Sequence, residues 1–306
     1  MGFFNNLFDI DSRDNYAVTG LNKELNSLYI YNYFIKNKKN NLVITNSLYE
    51  ANDVYNRLLN YTNKVLFFPM DDFITSEVTD ISPEFVIDRL ITLNKLLGSG
   101  KYIVVTNLMG ILRYLPNTKL YKNKIIDINK NMDIDRDDFI NKLFDLGYEK
   151  KPVVSRTGEM AIRGYVIDIF PIEFDNPIRI EFWGDTIDSI KYFDLEDQIS
   201  NTSIDSVKIY PYTEFLIDGK IEDNIIRKQK YLLNYSDSVS GLWDYVSDSV
   251  IFYYDYNQII SSYRFLRESI INYDNEISDN IKTNYMFDIS DVKYDNIIYN
   301  GKFERG

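Results

Sequence analysis

SRTGEMAIRGYVIDIFPIEFDNPIRIEFWGDTIDSIKYFDLEDQISNTSIDSVKIYPY, running from Ser155 to Tyr212, decides how this chain folds. Its apolar residues come in short alternating groups separated by turn residues, and no helical period of 3.6 is sustained. From Val153 to about Tyr210 it therefore reads as a small antiparallel β-domain. On the strand Pro177–Trp183, alternation places Ile178, Ile180 and Phe182 on one face and Arg179, Glu181 and Trp183 on the other. On Glu159–Gly164, Met160 and Ile162 point inward, Ala161 and Arg163 outward, and Gly164 marks a bulge or tight bend. Val166 or Ile167, with Ile169, Phe170, Ile187, Ile190 and Val207, completes the core.

The outward face admits two readings. Charged residues on a half-solvated sheet are ordinary, so Arg179 and Glu181 can be a same-strand ion pair worth little, with Trp183 folded over the sheet edge. Against that, Trp and Arg are among the residue types most enriched at binding hot spots. The set Arg163, Arg179, Glu181 and Trp183 then suits a surface that holds another protein.

Around this segment the period changes. Thr19 to about Lys36 is helix-like, LVITN (Leu42–Asn46) is a short buried strand, and a helix follows from about Ser47 to Asn60. KVLFFP (Lys64–Pro69) is a second strand. Pro83 opens a helix whose Phe85, Ile87, Leu90, Ile91, Leu96 and Leu97 share a side, and Gly98 stops it. KYIVVT (Lys101–Thr106) is a third strand, NLMGILRYL the helix after it, and DRDDFINKLFDLGY an amphipathic helix closing the region. After Pro211, GLWDYV is helical, VIFYYD (Val250–Asp255) a strand, and about Asn257 to Asn272 a helix. DNEISDN (Asp274–Asn280) is polar loop. This alternation implies a parallel, doubly wound α/β sheet interrupted by the β-rich insert. The expected domains are 1–148, 149–213 and 214–306.

Composition narrows the chemistry. The 306 residues carry no His and no Cys, which excludes Ser-His-Asp and Cys-His nucleophile systems and Cys/His zinc sites. The net charge of −12 argues against autonomous, tight nucleic-acid binding, because that affinity comes largely from neutralising phosphates. No apolar run approaches a membrane span and the start lacks the basic region of a signal peptide. The cytoplasm is the expected compartment.

Two fragments resemble nucleotide motifs, and both are damaged. The run Ala17-Val18-Thr19-Gly20-Leu21-Asn22-Lys23-Glu24 stands where a P-loop would precede a helix. It keeps Lys23, with Gly20 nearby. Ala17 and Asn22 replace the defining glycines, and Glu24 replaces the Mg²⁺-binding hydroxyl. A carboxylate at that helix start would also repel a triphosphate. The second fragment, the strand VIFYYD, ends in Asp255, but Tyr256 stands in place of the glutamate that orients attacking water. Neither ATP hydrolysis nor a metal site is expected.

The runs RTGEMAIRGYVIDIFP, IRIEFWGDTIDSIKYFD and IYPYTEF closely resemble the UvrB-homology module of bacterial transcription-repair coupling factor (Mfd). The flanks are similar too: FFPMDDF before SPEFVIDRLITLNKLL, and GLWDYVSDSVIFYYDYNQI. UvrB itself is the alternative, a nucleotide-dependent repair helicase subunit that binds ATP and damaged DNA. Three features depart from it: the broken P-loop, the short Asp71–Pro83 segment where UvrB has a long aromatic hairpin, and Tyr256. The resemblance implies a degenerate, RecA-like helicase fold without ATPase activity, carrying a β-domain that recruits UvrA in nucleotide excision repair. The family's contact positions fall on Arg163, Arg179, Glu181 and Trp183. The family more often has Phe at position 183, and a second arginine of UvrB is Ala161 here. The chain resembles an N-terminal fragment and is expected to be monomeric, without a cofactor. RNA polymerase, double-stranded DNA and the ATP-driven translocase belong to the rest of the family's full-length protein.

Overall fold

The computed structural model describes residues 15–71, 82–219, 227–276, 285–293 and 296–300, and the chain divides into two compact units. One runs to Leu115 and resumes with Lys228–Asn234 and Ser238 onward; the other is Pro116–Arg227 with Tyr235–Asp237. The chain start, residues 72–81 of the Asp71–Pro83 segment set against UvrB's hairpin, and residues 277–280 of the polar loop lie outside the described residues.

The first unit is built on a six-stranded parallel sheet. Its order is β1 (Tyr16–Val18), β16 (Asn296–Asn300), β15 (Ser249–Tyr253), β2 (Asn40–Thr45), β4 (Ile103–Asn107) and β3 (Val65–Phe68). Strands β2, β3, β4 and β15 are buried along their whole length, as expected of a parallel sheet covered on both faces. Because β15 pairs with β2, the chain re-enters the middle of this sheet after the antiparallel segment. The helices begin where the sequence supplies caps. Asn22 Oδ1 accepts from Leu25 N at 2.9 Å before helix Lys23–Asn37, and Ser47 Oγ accepts from Glu50 N at 3.2 Å before helix Leu48–Leu59. Tyr29, Tyr33, Val54 and Leu58 from these two helices pack on Val43, Val105 and Phe252 of the sheet.

Helix Pro83–Leu96 starts at its proline, but its buried face is more polar than its apolar residues imply. Arg89 and Thr92 are buried with Leu90, Leu93 and Leu96, while Phe85, Ile87, Ile91 and Leu97 are half-buried. Arg89 Nη1 donates to the Pro69 carbonyl at 2.9 Å and Thr92 Oγ1 to Phe67 O at 2.7 Å, so both satisfy backbone beside β3. The helix expected over NLMGILRYL is one turn, Leu108–Ile111. Pro116 keeps Leu115 extended, and Leu115–Pro116 forms the short strand β5 instead. GLWDYV likewise forms one turn, Leu242–Tyr245, after the two-residue strand β14 (Val239–Ser240).

The second unit centres on another six-stranded sheet. Its order is β12 (Ser200–Ile204), β11 (Thr186–Phe193), β10 (Ile178–Trp183), β9 (Val166–Ile169), β8 (Glu159–Arg163) and β7 (Glu149–Lys150). Every pair is antiparallel except β7 with β8. Strand β13 (Ser206–Ile209) pairs separately with β6 (Ile126–Asn129). On the inner face, Met160, Ile167, Ile169, Ile178, Ile180, Phe182, Ile187 and Ile190 are buried. Helix Arg136–Asp145 packs Phe139 against Phe182, with ring centroids 6.0 Å apart. The sequence grouped this helix with the preceding α/β segment, because an amphipathic stripe shows that a helix is covered without showing what covers it. Among the described residues, no helix is long and apolar enough to cross a membrane.

Candidate functional site

The outer face of the antiparallel sheet is set by β10, whose residues alternate buried and accessible up to Trp183. Arg179 lies opposite Asp168 of β9 and Lys191 of β11; Glu181 lies opposite Val166 and Ser189. On β8, Ala161 lies opposite Asp168 and Arg163 opposite Val166. The register therefore gathers Arg163, Asp168, Arg179, Glu181 and Lys191 on one face, three cations against two carboxylates in a chain of net charge −12. Trp183, 83% exposed, stands at the end of this row.

Asp168 organises the face. Its side chain is 1% exposed, and it receives Arg179 in a two-pronged bond, Nε to Oδ1 at 2.7 Å and Nη2 to Oδ2 at 3.0 Å. Arg163 Nη2 also donates to Asp168 Oδ2. Arg179 spends its remaining terminal nitrogen on Gln198 O at 3.1 Å and Ser200 Oγ at 3.4 Å, and its guanidinium lies 4.7 Å above the Phe193 ring. The Asp168 carboxylate pushes the Arg179 pKa above its ordinary value. Glu181 is held below the usual carboxylate range by the bonds it accepts from Lys191, at 2.8 Å, and from Ser189 Oγ.

Three of these placements differ from the sequence reading. The Arg179–Glu181 pair does not form, since residues two apart on a strand are about 6.6 Å apart while cross-strand neighbours come closer. Each instead pairs across the sheet, Arg179 with Asp168 and Glu181 with Lys191. Arg179 is on the outer face but only 16% exposed. Ala161 is 1% exposed rather than outward to solvent, because Val154, Phe170, Phe193 and Leu195 close a small second core over that part of the face. The face that remains open holds Arg163, 47% exposed, with Glu181 and Trp183.

Sequence reasoning missed two members of the site. Asp168 carries a signal in its alternation with Ile167 and Ile169, but only the strand register reveals its two arginines. Tyr165, 65% exposed, sits in the turn after Gly164, which adopts φ +58°. Its carbonyl accepts from Phe182 N at 2.9 Å, which brings it to the end of the sheet where Trp183 stands.

The residues set against nucleotide motifs in the sequence find partners within the chain. Gly20 turns the chain with φ +81°, and Asn22 spends its side chain capping the following helix. Lys23 Nζ pairs with Asp53 at 3.3 Å, and Glu24 pairs with Arg57, which also holds Asp53 at 3.0 Å. The backbone N–H and Arg57 lower the Glu24 pKa; for Asp53, burial opposes but Arg57 and Lys23 prevail. At the end of β15, Asp255 accepts from Gln258 N at 3.2 Å and caps helix Tyr256–Glu276. The Tyr256 ring meets Tyr253 and Tyr299 edge-on, with centroids at 5.2 and 4.8 Å. A 530 Å³ cleft opens beside Asn46, Asn107, Met70 and Phe265, and none of the six nucleotide-motif residues lines it.

Residues 126–215 match the UvrB interaction domain family, a span containing the whole six-stranded antiparallel sheet and every residue of its outer face. The chain is also similar to transcription-repair-coupling factors. It is 35% identical to that of Staphylococcus haemolyticus over 220 residues, 71% of this chain and 19% of the relative. It is 32% identical to that of Staphylococcus epidermidis over 235 residues, 76% and 20%. For Staphylococcus aureus the figures are 32% over 229 residues, 74% and 20%. The chain thus spans about a fifth of the length of the curated relatives it matches. Residues 126–215 thus match the UvrB interaction domain family, and the chain that carries them is similar over about three quarters of its length to transcription-repair-coupling factors.

Proposed function

We propose that this chain is a docking module that recruits UvrA through the outer face of its antiparallel sheet, so that excision repair reaches RNA polymerase stalled at DNA damage. The observation that carries this reading is the open patch of Arg163, Glu181 and Trp183, lying inside the span of the UvrB interaction domain and backed by Asp168 and Arg179. A protruding Trp on the same face as an Arg that keeps unspent donors among the described residues is the composition expected of a hot spot. The parallel sheet serves as a RecA-like, helicase-type scaffold without nucleotide chemistry and without a cofactor. Lys23 and Glu24 answer to Asp53 and Arg57, and Asp255 answers to a helix N-terminus, so the groups that would position phosphate and water are engaged elsewhere. Contacts with RNA polymerase and double-stranded DNA, and ATP-driven translocation, fall to the part of a longer protein that this chain does not span. Calorimetry of the chain against purified UvrA tests the reading. Saturable binding is expected, and a folded chain that gives no binding contradicts it.

A further inference from the structure

We infer that Asp168 is the positioning residue of this face: it fixes the Arg163 guanidinium in its docking orientation, and Arg179 serves chiefly to hold Asp168 in place. The use of that orientation for UvrA rests on the function proposed above; the positioning itself does not. Two arginines that look equivalent by strand alternation have opposite circumstances. Arg179 is 16% exposed and spends Nε, Nη1 and Nη2 inside the sheet, over an aromatic ring, so it has little left to offer a partner. Arg163 is 47% exposed and, among the described residues, engages only Nη2, leaving Nε and Nη1 for an incoming acceptor.

A long side chain tethered in this way has already lost rotamer freedom and does not lose it again on association. The tether is effective because its acceptor cannot move. Asp168 lies on a central strand, its side chain 1% exposed, and Arg179 grips both of its oxygens. The face thus offers a pre-set donor fork on the same side of the sheet as Trp183, suited to a carboxylate or carbonyl on the docking partner.

Side-chain NMR of the wild-type chain tests the tether without any partner. Arg163 is expected to show hindered guanidinium rotation relative to exposed Arg264, and equal, fast rotation in both overturns the inference. UvrA affinity is then measured for Asp168→Asn, Arg163→Ala and the double variant. Asp168→Asn should weaken binding about tenfold or more, as loss of a hot-spot contact does, and add nothing on the Arg163→Ala background. Independent, multiplying losses would mean that Asp168 supports the sheet rather than Arg163, and would overturn the assignment. If Asp168→Asn does not fold, the wild-type NMR comparison still decides. A wild-type chain that fails to bind UvrA removes the docking reading, while the positioning of Arg163 stands or falls on its guanidinium rotation.

Discussion

Arg163→Ala and Arg179→Ala should separate contact from support, because the two side chains share one carboxylate but not one environment. Removing Arg179 leaves Asp168, with its side chain 1% exposed, without either prong of its two-pronged partner. Breaking a buried ion pair from one side costs about 3–5 kcal/mol, because the remaining charge is stranded. Arg163 still reaches Asp168 Oδ2, which places the expected loss near the lower end, about 3 kcal/mol. Removing Arg163 leaves that two-pronged bond intact and deletes a half-exposed arm, a loss of about 1 kcal/mol or less. Hydrogen exchange of the β8, β9 and β10 amides reads the difference locally. Three kcal/mol raises the opening constant about 150-fold for Arg179→Ala, against about fivefold or less for Arg163→Ala. Equal protection in the two variants, or a greater loss for Arg163→Ala, would refute the assignment of roles.

Four other outcomes follow from the same geometry. Trp183→Ala should leave thermal unfolding unchanged, since the ring is 83% exposed, yet lower UvrA affinity by about 2 kcal/mol in titration calorimetry. Gly158→Ala should be far more damaging than Gly164→Ala in denaturant melts: about 3 kcal/mol or more against about 1 kcal/mol. Both glycines have positive φ, but a Cβ at 158 would meet the Tyr212 ring at 2.1 Å, while at 164 nothing lies within 4 Å. Mg-ATP should leave the melting temperature unmoved; a ligand-dependent rise would show that Lys23 exchanges Asp53 for phosphate. Finally, the bonds Asp288 accepts from Tyr263 and Ser290 hold its pKa down to about 2. A depressed carboxylate stabilises the fold above its unfolded pKa of about 4, and that contribution fades as pH falls toward about 2. Asp288→Asn should therefore flatten acid unfolding across that window, and parallel wild-type and variant curves would contradict it.

What could be read from the chain and what could not divides along physical lines. Period-two alternation in residues 178–183 was enough to place Ile178, Ile180 and Phe182 inward and Trp183 outward, because that property belongs to a single strand. The helix starts near Ser47 and at Pro83 were equally local, whereas the first helix begins at Lys23 behind its Asn22 cap rather than at Thr19. Asp168 was not legible as the hub, since its partners are five and eleven residues away and meet it only through register. Ala161 looked outward because alternation cannot anticipate a second cluster, from Val154 to Leu195, laid over the outer face. Helix Arg136–Asp145 was visible as a helix, but its packing on Phe182 depends on a strand more than thirty residues later. In the segment compared with a P-loop, the departures from the motif were legible one by one. Their engagement by Asp53 and Arg57 required the second helix to pack beside the first.

The most direct measurement is calorimetric titration of purified UvrA into this chain, with Arg163→Ala and Trp183→Ala run beside the wild type. The account predicts saturable wild-type binding and a loss of about 30-fold or more in each variant, with unfolding unchanged in Trp183→Ala and shifted only slightly in Arg163→Ala. A folded wild type that does not bind, or variants that bind as tightly as it does, would contradict the claim that this face of the sheet is the docking surface.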